Sequence, residues 1–185
     1  MRIEIISGSS RQDSLSRRVA LFLQRYFKKN TAHEIGLIDM KDWDLPQLDT
    51  VFTSVEKTPI ELKELSRRIF AADAFILVSP EYNGSYSPAL KNLLDHFPKQ
   101  HHKPFGIVTA SPGAMGGIRA SQQLQLLVNA LFGVASPYLL IVPQVDKKFD
   151  SAGELIDEGF YNSVHNFATE YLWLSENLAE NRIAA

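Results

Sequence analysis

Short runs of apolar residues alternate along the chain with longer segments whose apolar positions recur every three or four residues. Ile3 to Ile6 reads as a first strand, and Leu15, Val19, Phe22, Leu23 and Tyr26 step along a helix over 14–29. His33 to Asp39 reads as a weaker second strand. Thr58-Pro59-Ile60-Glu61 combines a capping residue, a proline at the first helical position and a glutamate at the third, and Leu62, Leu65 and Ile69 continue that helix. Phe75 to Val78 is a fully apolar strand. Ser87-Pro88 opens a helix carrying Leu90, Leu93, Leu94 and Phe97, which Pro98 stops. Phe105 to Thr109 is a strand, Gly116-Gly117 precedes a helix with Leu124, Leu127 and Leu131, and Tyr138 to Val142 is the last strand. Phe160, Val164, Phe167, Tyr171, Leu174 and Leu178 mark a terminal helix. This is β-α repeated five times. Strands apolar on both faces, separated by amphipathic helices, predict an α/β fold with a parallel sheet covered on both sides. No repeat or linker interrupts the pattern, so a single domain over 1–185 is expected. The one long irregular stretch is Met40 to Lys57, a length that usually marks a functional loop.

Composition narrows the chemistry. The chain of 185 residues has a net charge of −2 and no basic block, which disfavours a nucleic-acid binder. It contains no cysteine, which excludes disulfides, thiolate nucleophiles, Cys-ligated zinc and cysteine-held iron–sulfur clusters. Redox chemistry would therefore need an organic cofactor or a non-thiolate metal. The N-terminus lacks a signal-peptide core. The longest apolar run, Tyr138 to Val142, is far short of the ~20 residues that span a bilayer. No membrane association is expected, and the cytoplasm is the expected location.

Ligands of open parallel sheets bind beyond the carboxyl ends of the strands, and three segments there stand out. Ser7-Gly8-Ser9-Ser10-Arg11-Gln12-Asp13-Ser14-Leu15-Ser16 offers hydroxyls, a guanidinium and the N–H groups of a helix start, a set suited to a phosphate. The plainer reading is a polar loop with Asp13 or Ser14 as helix cap. Neither G-x-x-x-x-G-K-[ST] nor G-x-G-x-x-G is present, so a mononucleotide fits this turn better than a nucleoside triphosphate or a dinucleotide. Ser79-Pro80-Glu81-Tyr82-Asn83-Gly84-Ser85-Tyr86-Ser87-Pro88 combines a stiff exit, a left-handed turn at Asn83-Gly84 and two flat tyrosines. Its amides suit the edge of a heteroaromatic ring, and a tight turn whose tyrosines cover the core is the alternative. Ser111-x-Gly113-x-x-Gly116-Gly117-x-Arg119-Ala120 is the third. Adjacent His101 and His102 do not make a metal site, and His33 and His165 fall in ordinary strand and helix patterns. The stripe from Phe160 to Tyr171 is core. Trp43 either anchors the long loop or roofs a substrate cleft.

Together, Gly8-Ser9-x-Arg11-x-x-Ser14, Pro80-Glu81-Tyr82-Asn83 with Leu90-Lys91-Asn92 and Asp95, and the glycine-rich segment resemble the NADPH-dependent FMN reductase family, over roughly residues 1–145. That family is a branch of the flavodoxin-like superfamily that includes quinone, chromate and azo-dye reductases. The resemblance implies a flavodoxin-like three-layer sandwich with a five-stranded parallel sheet in the order 2-1-3-4-5. It also implies FMN, held without a covalent bond, and NAD(P)H as co-substrate. By position, Ser9, Arg11, Ser14, Leu15 and Ser16 would hold the phosphate. Pro80, Glu81, Tyr82, Asn83, Gly84 and Ser85 would line the ribityl chain and the ring, and Ser111, Gly113 and Gly116 would approach the pyrimidine edge. Glycines at 113, 116 and 117 would leave the ring face open. Ser16 stands where many relatives have Asn, and His96 where many have Trp. The resemblance further implies a homodimer or homotetramer paired through helix 87–97, with Tyr86 and His96 near the partner's site. The activity implied is hydride transfer from NAD(P)H to FMN, followed by electron delivery to a flavin, quinone or similar small acceptor. No protein acid or base is required for that hydride step, so no catalytic residue is assigned. A flavodoxin-type electron carrier is the alternative, and Arg11 and the modest net charge argue against it.

Overall fold

The computed structural model describes residues 1–180; positions 181–185 of the expected single-domain span lie outside the described residues. The strands are β1 (Arg2–Ser7), β2 (Glu34–Asp39), β3 (Ala74–Pro80), β4 (Pro104–Ala110), β5 (Val134–Ala135) and β6 (Leu140–Val142). The helices are α1 (Leu15–Asn30), α2 (Lys63–Ala71), α3 (Pro88–Asp95), α4 (Ile118–Ala130), α5 (Val145–Lys148) and α6 (Tyr161–Glu180). All strand pairs are parallel, in the order β2-β1-β3-β4-β5, with β6 also on β4.

The order agrees with the expectation, but the sheet has six strands where five were expected. β5 pairs with Pro104 and Phe105, and β6 pairs with Val108 to Ala110, so both run along the same edge of β4. Between them Ser136 still donates its N–H to Phe105 O at 2.8 Å. Pro137 then has no N–H to give, and the ladder resumes only at Leu140. The second irregular start is at α2. Thr58 does not cap it. Its hydroxyl donates to Ser54 O and accepts from the Ser66 hydroxyl, both at 2.9 Å, and a 3-10 turn over Ile60–Leu62 leads into the helix instead.

Successive residues of β1, β3 and β4 face opposite sides of the sheet, and both sides are covered. Ile3, Ile5, Ile76, Val78 and Val108 pack against α1, α5 and α6. Ile6, Phe75, Leu77, Phe105 and Ile107 pack against α2, α3 and α4. The two layers of helices leave the C-terminal ends of the strands open, and the loops that follow β1, β3 and β4 emerge there together.

At the opposite end a charge is buried. Glu4 in β1 is fully buried and accepts from Arg68 of α2, at 3.0 Å from Nε and in a second, short bond from the guanidinium. Arg2 Nε lies 3.4 Å from the same carboxylate. Gly36 of β2 makes room for it, since a Cβ there would lie 2.1 Å from Glu4 Oε2. The pair ties α2 to the central strand. Removing one partner leaves a buried charge uncompensated. Arg68→Ala is therefore expected to lose about 3 kcal/mol of stability in a urea melt, and a loss below about 1 kcal/mol would show that Arg2 alone satisfies Glu4.

Candidate active site

The first two loops are stitched together. Gly8 N–H donates to Val78 O at 2.8 Å, and the Ser87 hydroxyl donates to Gly8 O in a short bond. Ser87 N–H in turn donates to Ser79 Oγ at 3.0 Å. The loop after β1 is thereby fixed to both ends of the loop after β3. Ser87 also caps α3, accepting from Leu90 N–H at 3.2 Å.

Within the first loop, Ser14 is the N-cap of α1, its hydroxyl accepting from Arg17 N–H at 3.3 Å. Ser14 and Ser16 hydroxyls lie 3.0 Å apart, and both side chains are buried. Ser9 is buried as well and accepts from Arg11 N–H at 3.3 Å. The side chain of Arg11 reaches across to the second loop, its guanidinium carbon 4.9 Å from the centre of the Tyr82 ring. Arg17, one turn on, is engaged elsewhere, in a short ion pair with Asp39 at the end of β2. Arg11 is thus the exposed cation of this loop.

The second loop is a two-residue hairpin. Tyr82 and Ser85 exchange backbone hydrogen bonds of 2.8 and 3.1 Å, and Asn83 and Gly84 both take positive φ, 51° and 83°. The sequence signal at Asn83-Gly84 is realised as that turn. Burial raises the Tyr86 phenol above its ordinary value, so it stays a protonated donor.

Ser9, Arg11, Ser14, Leu15, Ser16, Pro80, Glu81, Tyr82 and Ser111 line one cleft of about 400 Å³ between these loops. Asp13, Ala110 and Pro112 complete its wall, and no sequence motif had singled out the last two. Asn83, Gly84 and Ser85 form the hairpin tip beyond Tyr82, and Gly113 and Gly116 lie beyond Pro112; none of these lines the cleft itself.

Two glycines of the third loop are required by packing. A Cβ on Gly116, whose φ is +62°, would lie 2.6 Å from Ile141 Cγ2 and 2.7 Å from Pro143 N. One on Gly117 would lie 3.0 Å from Thr109 Cβ. A side chain at either position would point into the protein, so both glycines serve packing of the loop on β4 and β6. Gly113 is different: only Ser111 Oγ, at 3.4 Å, stands near its Cβ position.

Residues 40–57 do not reach this cleft. Phe52 is buried against His96 and Phe97, with ring centres 4.9 and 5.7 Å away, and its N–H donates to His96 O at 2.7 Å. Asn92 Nδ2 donates to Pro46 O at 2.7 Å. Trp43 instead lines a second cleft of about 390 Å³ with Ser10, Pro88 and Asn92, on the other flank of the first loop. His96 is only 1 % exposed, and Leu90, Leu93, Leu94 and Phe97 are buried in the chain's own core. Those side chains face the chain's own core, while Pro88 and Lys91 are the exposed positions of helix 87–97. His101 and His102 lie on an exposed turn, and among the described residues no group of three or more His, Asp or Glu could hold a metal.

A model of the NADPH-dependent FMN reductase family matches residues 1–146, and the chain belongs to that family. It is 34 % identical over 165 residues to an FMN-dependent NADPH-azoreductase of Staphylococcus aureus, covering 84 % of this chain and 85 % of that one. In structure it is similar to FerB, a flavoenzyme NAD(P)H:(acceptor) oxidoreductase from Paracoccus denitrificans, with a TM-score of 0.76 and 22 % identity over 95 % of this chain and 97 % of that one. A flavodoxin variant from Pseudomonas aeruginosa aligns with a TM-score of 0.57 and 20 % identity over 92 % and 99 % of the two chains. These two structural likenesses establish the flavodoxin-like fold. The chain is an NAD(P)H-dependent FMN oxidoreductase, with FMN as cofactor and NAD(P)H as co-substrate.

The residues present fit that cofactor. A phosphate needs donors and positive potential, and the first loop supplies hydroxyls, the opening turn of α1 and an unpaired guanidinium at one end of a cleft of suitable size. The distinction among the glycines gives a direct check. Gly116→Ala is expected to lower stability by about 1–3 kcal/mol, from overpacking and the left-handed backbone. Gly113→Ala should stay within about 0.5 kcal/mol of wild type. Equal melting temperatures for the two variants would contradict the packing role.

Proposed function

We propose that FMN lies across the three loops with its phosphate at the start of α1. Ser9, Ser14 and Ser16 with the first-turn N–H groups at Leu15 and Ser16 hold the phosphate oxygens, and Arg11 supplies the compensating charge. Pro80, Glu81, Tyr82, Asn83, Gly84 and Ser85 line the ribityl chain and the ring. Ser111, Gly113 and Gly116 border the pyrimidine edge. The observation that carries this reading is the convergence of Ser9, Arg11, Ser14 and the α1 N-terminus on the cleft that Pro80, Tyr82 and Ser111 wall from the other side.

When bound, FMN supplies the two-electron chemistry that links NAD(P)H to an acceptor. The chain's own part is to bind, orient and shield. The Arg11 guanidinium, now resting on Tyr82, is free to turn toward a phosphate. Between Asp95 and Asp146 the sequence holds no Asp or Glu. The third loop and α4 therefore present a surface without carboxylates of their own, which favours approach of an anionic dinucleotide. The acceptor we propose is a flat conjugated molecule: a flavin, a quinone or, as the name of the Staphylococcus aureus relative suggests, an azo compound. Turnover alternates donor and acceptor in one open site, giving parallel lines in double-reciprocal plots.

We also propose a homodimer or homotetramer in the cytoplasm. With the leucines of α3 buried, the support for self-association lies in exposed apolar side chains, Met115 of the third loop and Ile118 and Leu126 of α4. Among the described residues no helix is long and apolar enough to cross a membrane.

Two measurements test these proposals. Arg11→Ala should weaken FMN binding by about 1.5–3 kcal/mol, the scale of a hydrogen bond to a charged group, while riboflavin, which lacks the phosphate, binds as before. Equal losses for both ligands would place the phosphate elsewhere. In sedimentation, Leu126→Glu should convert an oligomer to a monomer that still binds FMN. A wild-type protein already monomeric at micromolar concentration would refute the assembly.

A further inference from the structure

Glu81 follows β3 directly, yet its carboxylate is engaged by the third loop's helix. Its Oε2 accepts from Arg119 N–H at 3.1 Å and from Ala120 N–H at 3.4 Å. Its Oε1 lies 3.6 Å from Arg119 Nη1, and the Glu81 side chain is only 16 % exposed. The two N–H groups belong to the first turn of α4, whose donors have no partner within the helix. The N-cap position of α4 is Gly117, with φ 87° and no side chain to cap with. A residue 38 positions earlier in the chain does that job.

The third loop is held from the other side as well. Ser111 N–H donates to Val142 O at 3.1 Å, Gln144 N–H to Gly113 O at 3.2 Å and Val145 N–H to Ser111 O at 3.1 Å. Those bonds fasten it to β6 and α5. Glu81 fastens it to β3 and the hairpin.

We infer that Glu81 is a positioning residue, a clamp that joins the hairpin loop and the glycine-rich loop into one rigid wall for the flavin ring. This rests on the FMN placement proposed above. The clamp acts through geometry. Both backbone donors meet the same oxygen, so a glutamine can keep both bonds through its single carbonyl oxygen and lose only the ion pair with Arg119. An aspartate keeps the charge but is one methylene too short to reach. A role based on charge orders these two variants the other way.

The test compares wild type, Glu81→Gln, Glu81→Asp and Glu81→Ala, with a thermal melt for each. Ligand-free protein is titrated with FMN and with riboflavin, and amide hydrogen exchange is followed at Arg119 and Ala120. Glu81→Asp and Glu81→Ala should weaken both flavins alike, about five- to tenfold, the scale of a lost cap, and should speed exchange at both amides. Glu81→Gln should stay within about twofold of wild type in both. If Glu81→Ala does not fold, the Gln and Asp pair carries the comparison. Wild-type affinity in Asp with loss in Gln, or unchanged affinity and exchange in Asp and Ala, overturns the clamp. A wild-type protein that takes up neither flavin overturns the FMN placement instead, while the exchange data still decide the clamp.

Discussion

The parallel ladder that joins β1 to β3 and β3 to β4 sets where every ligand-facing loop begins. Ser7 sits opposite Val78, and Ser79 opposite Thr109, so the three strands end within a residue or two of one another. All three are buried on both faces, which confines their exits to the open end of the sheet. A slip of one residue would turn each apolar set to the wrong side. The core thereby enforces the alignment of the first, second and third loops, and the hydrogen bonds of Gly8, Ser79 and Ser87 then lock the rim they form.

Polar groups at that rim serve two ends. Some hold the backbone: Ser87 and Ser79 tie loops, Ser14 caps α1, and Glu81 caps α4. Others are left available, above all the guanidinium of Arg11, which rests on Tyr82 with no carboxylate partner among the described ion pairs. The contrast with Arg17 is instructive. Three arginines lie near the start of α1: Asp39 neutralises Arg17, Arg18 donates to Phe149 O, and Arg11 faces the cleft. Arg11 shares the cleft wall with Asp13, and the positive end of the α1 dipole lies beside them.

Much of this was legible in the sequence for a physical reason. Strands buried on both faces are continuous apolar runs, so β1, β3 and β4 could be read directly, and Ser14, Ser87 and Asn83-Gly84 carry local signals for a cap, a cap and a turn. The misreadings came where the decisive contact is distant in sequence. β5 is two residues long and exists because β4 offers an edge. Thr58 prefers Ser54 and Ser66 to a capping role. Gly116 is glycine because Ile141 and Pro143 lie where its side chain would be. His96 lies under Phe52 and not at the surface, a contact made across 44 residues of sequence. The cap supplied by Glu81 has no local signature, since its partners lie in another helix.

The placement proposed here has one cleft, bounded by these three loops, holding FMN phosphate-first at the start of α1. The most direct measurement is a crystal structure of the FMN-loaded protein. Phosphate oxygens are expected within hydrogen-bonding distance of the Ser9 and Ser14 hydroxyls and the first-turn N–H groups of α1, with Arg11 swung off Tyr82 toward them and the ring between the hairpin and the glycine-rich loop. A phosphate bound away from α1, or a ring lodged in the Trp43 cleft, would contradict it.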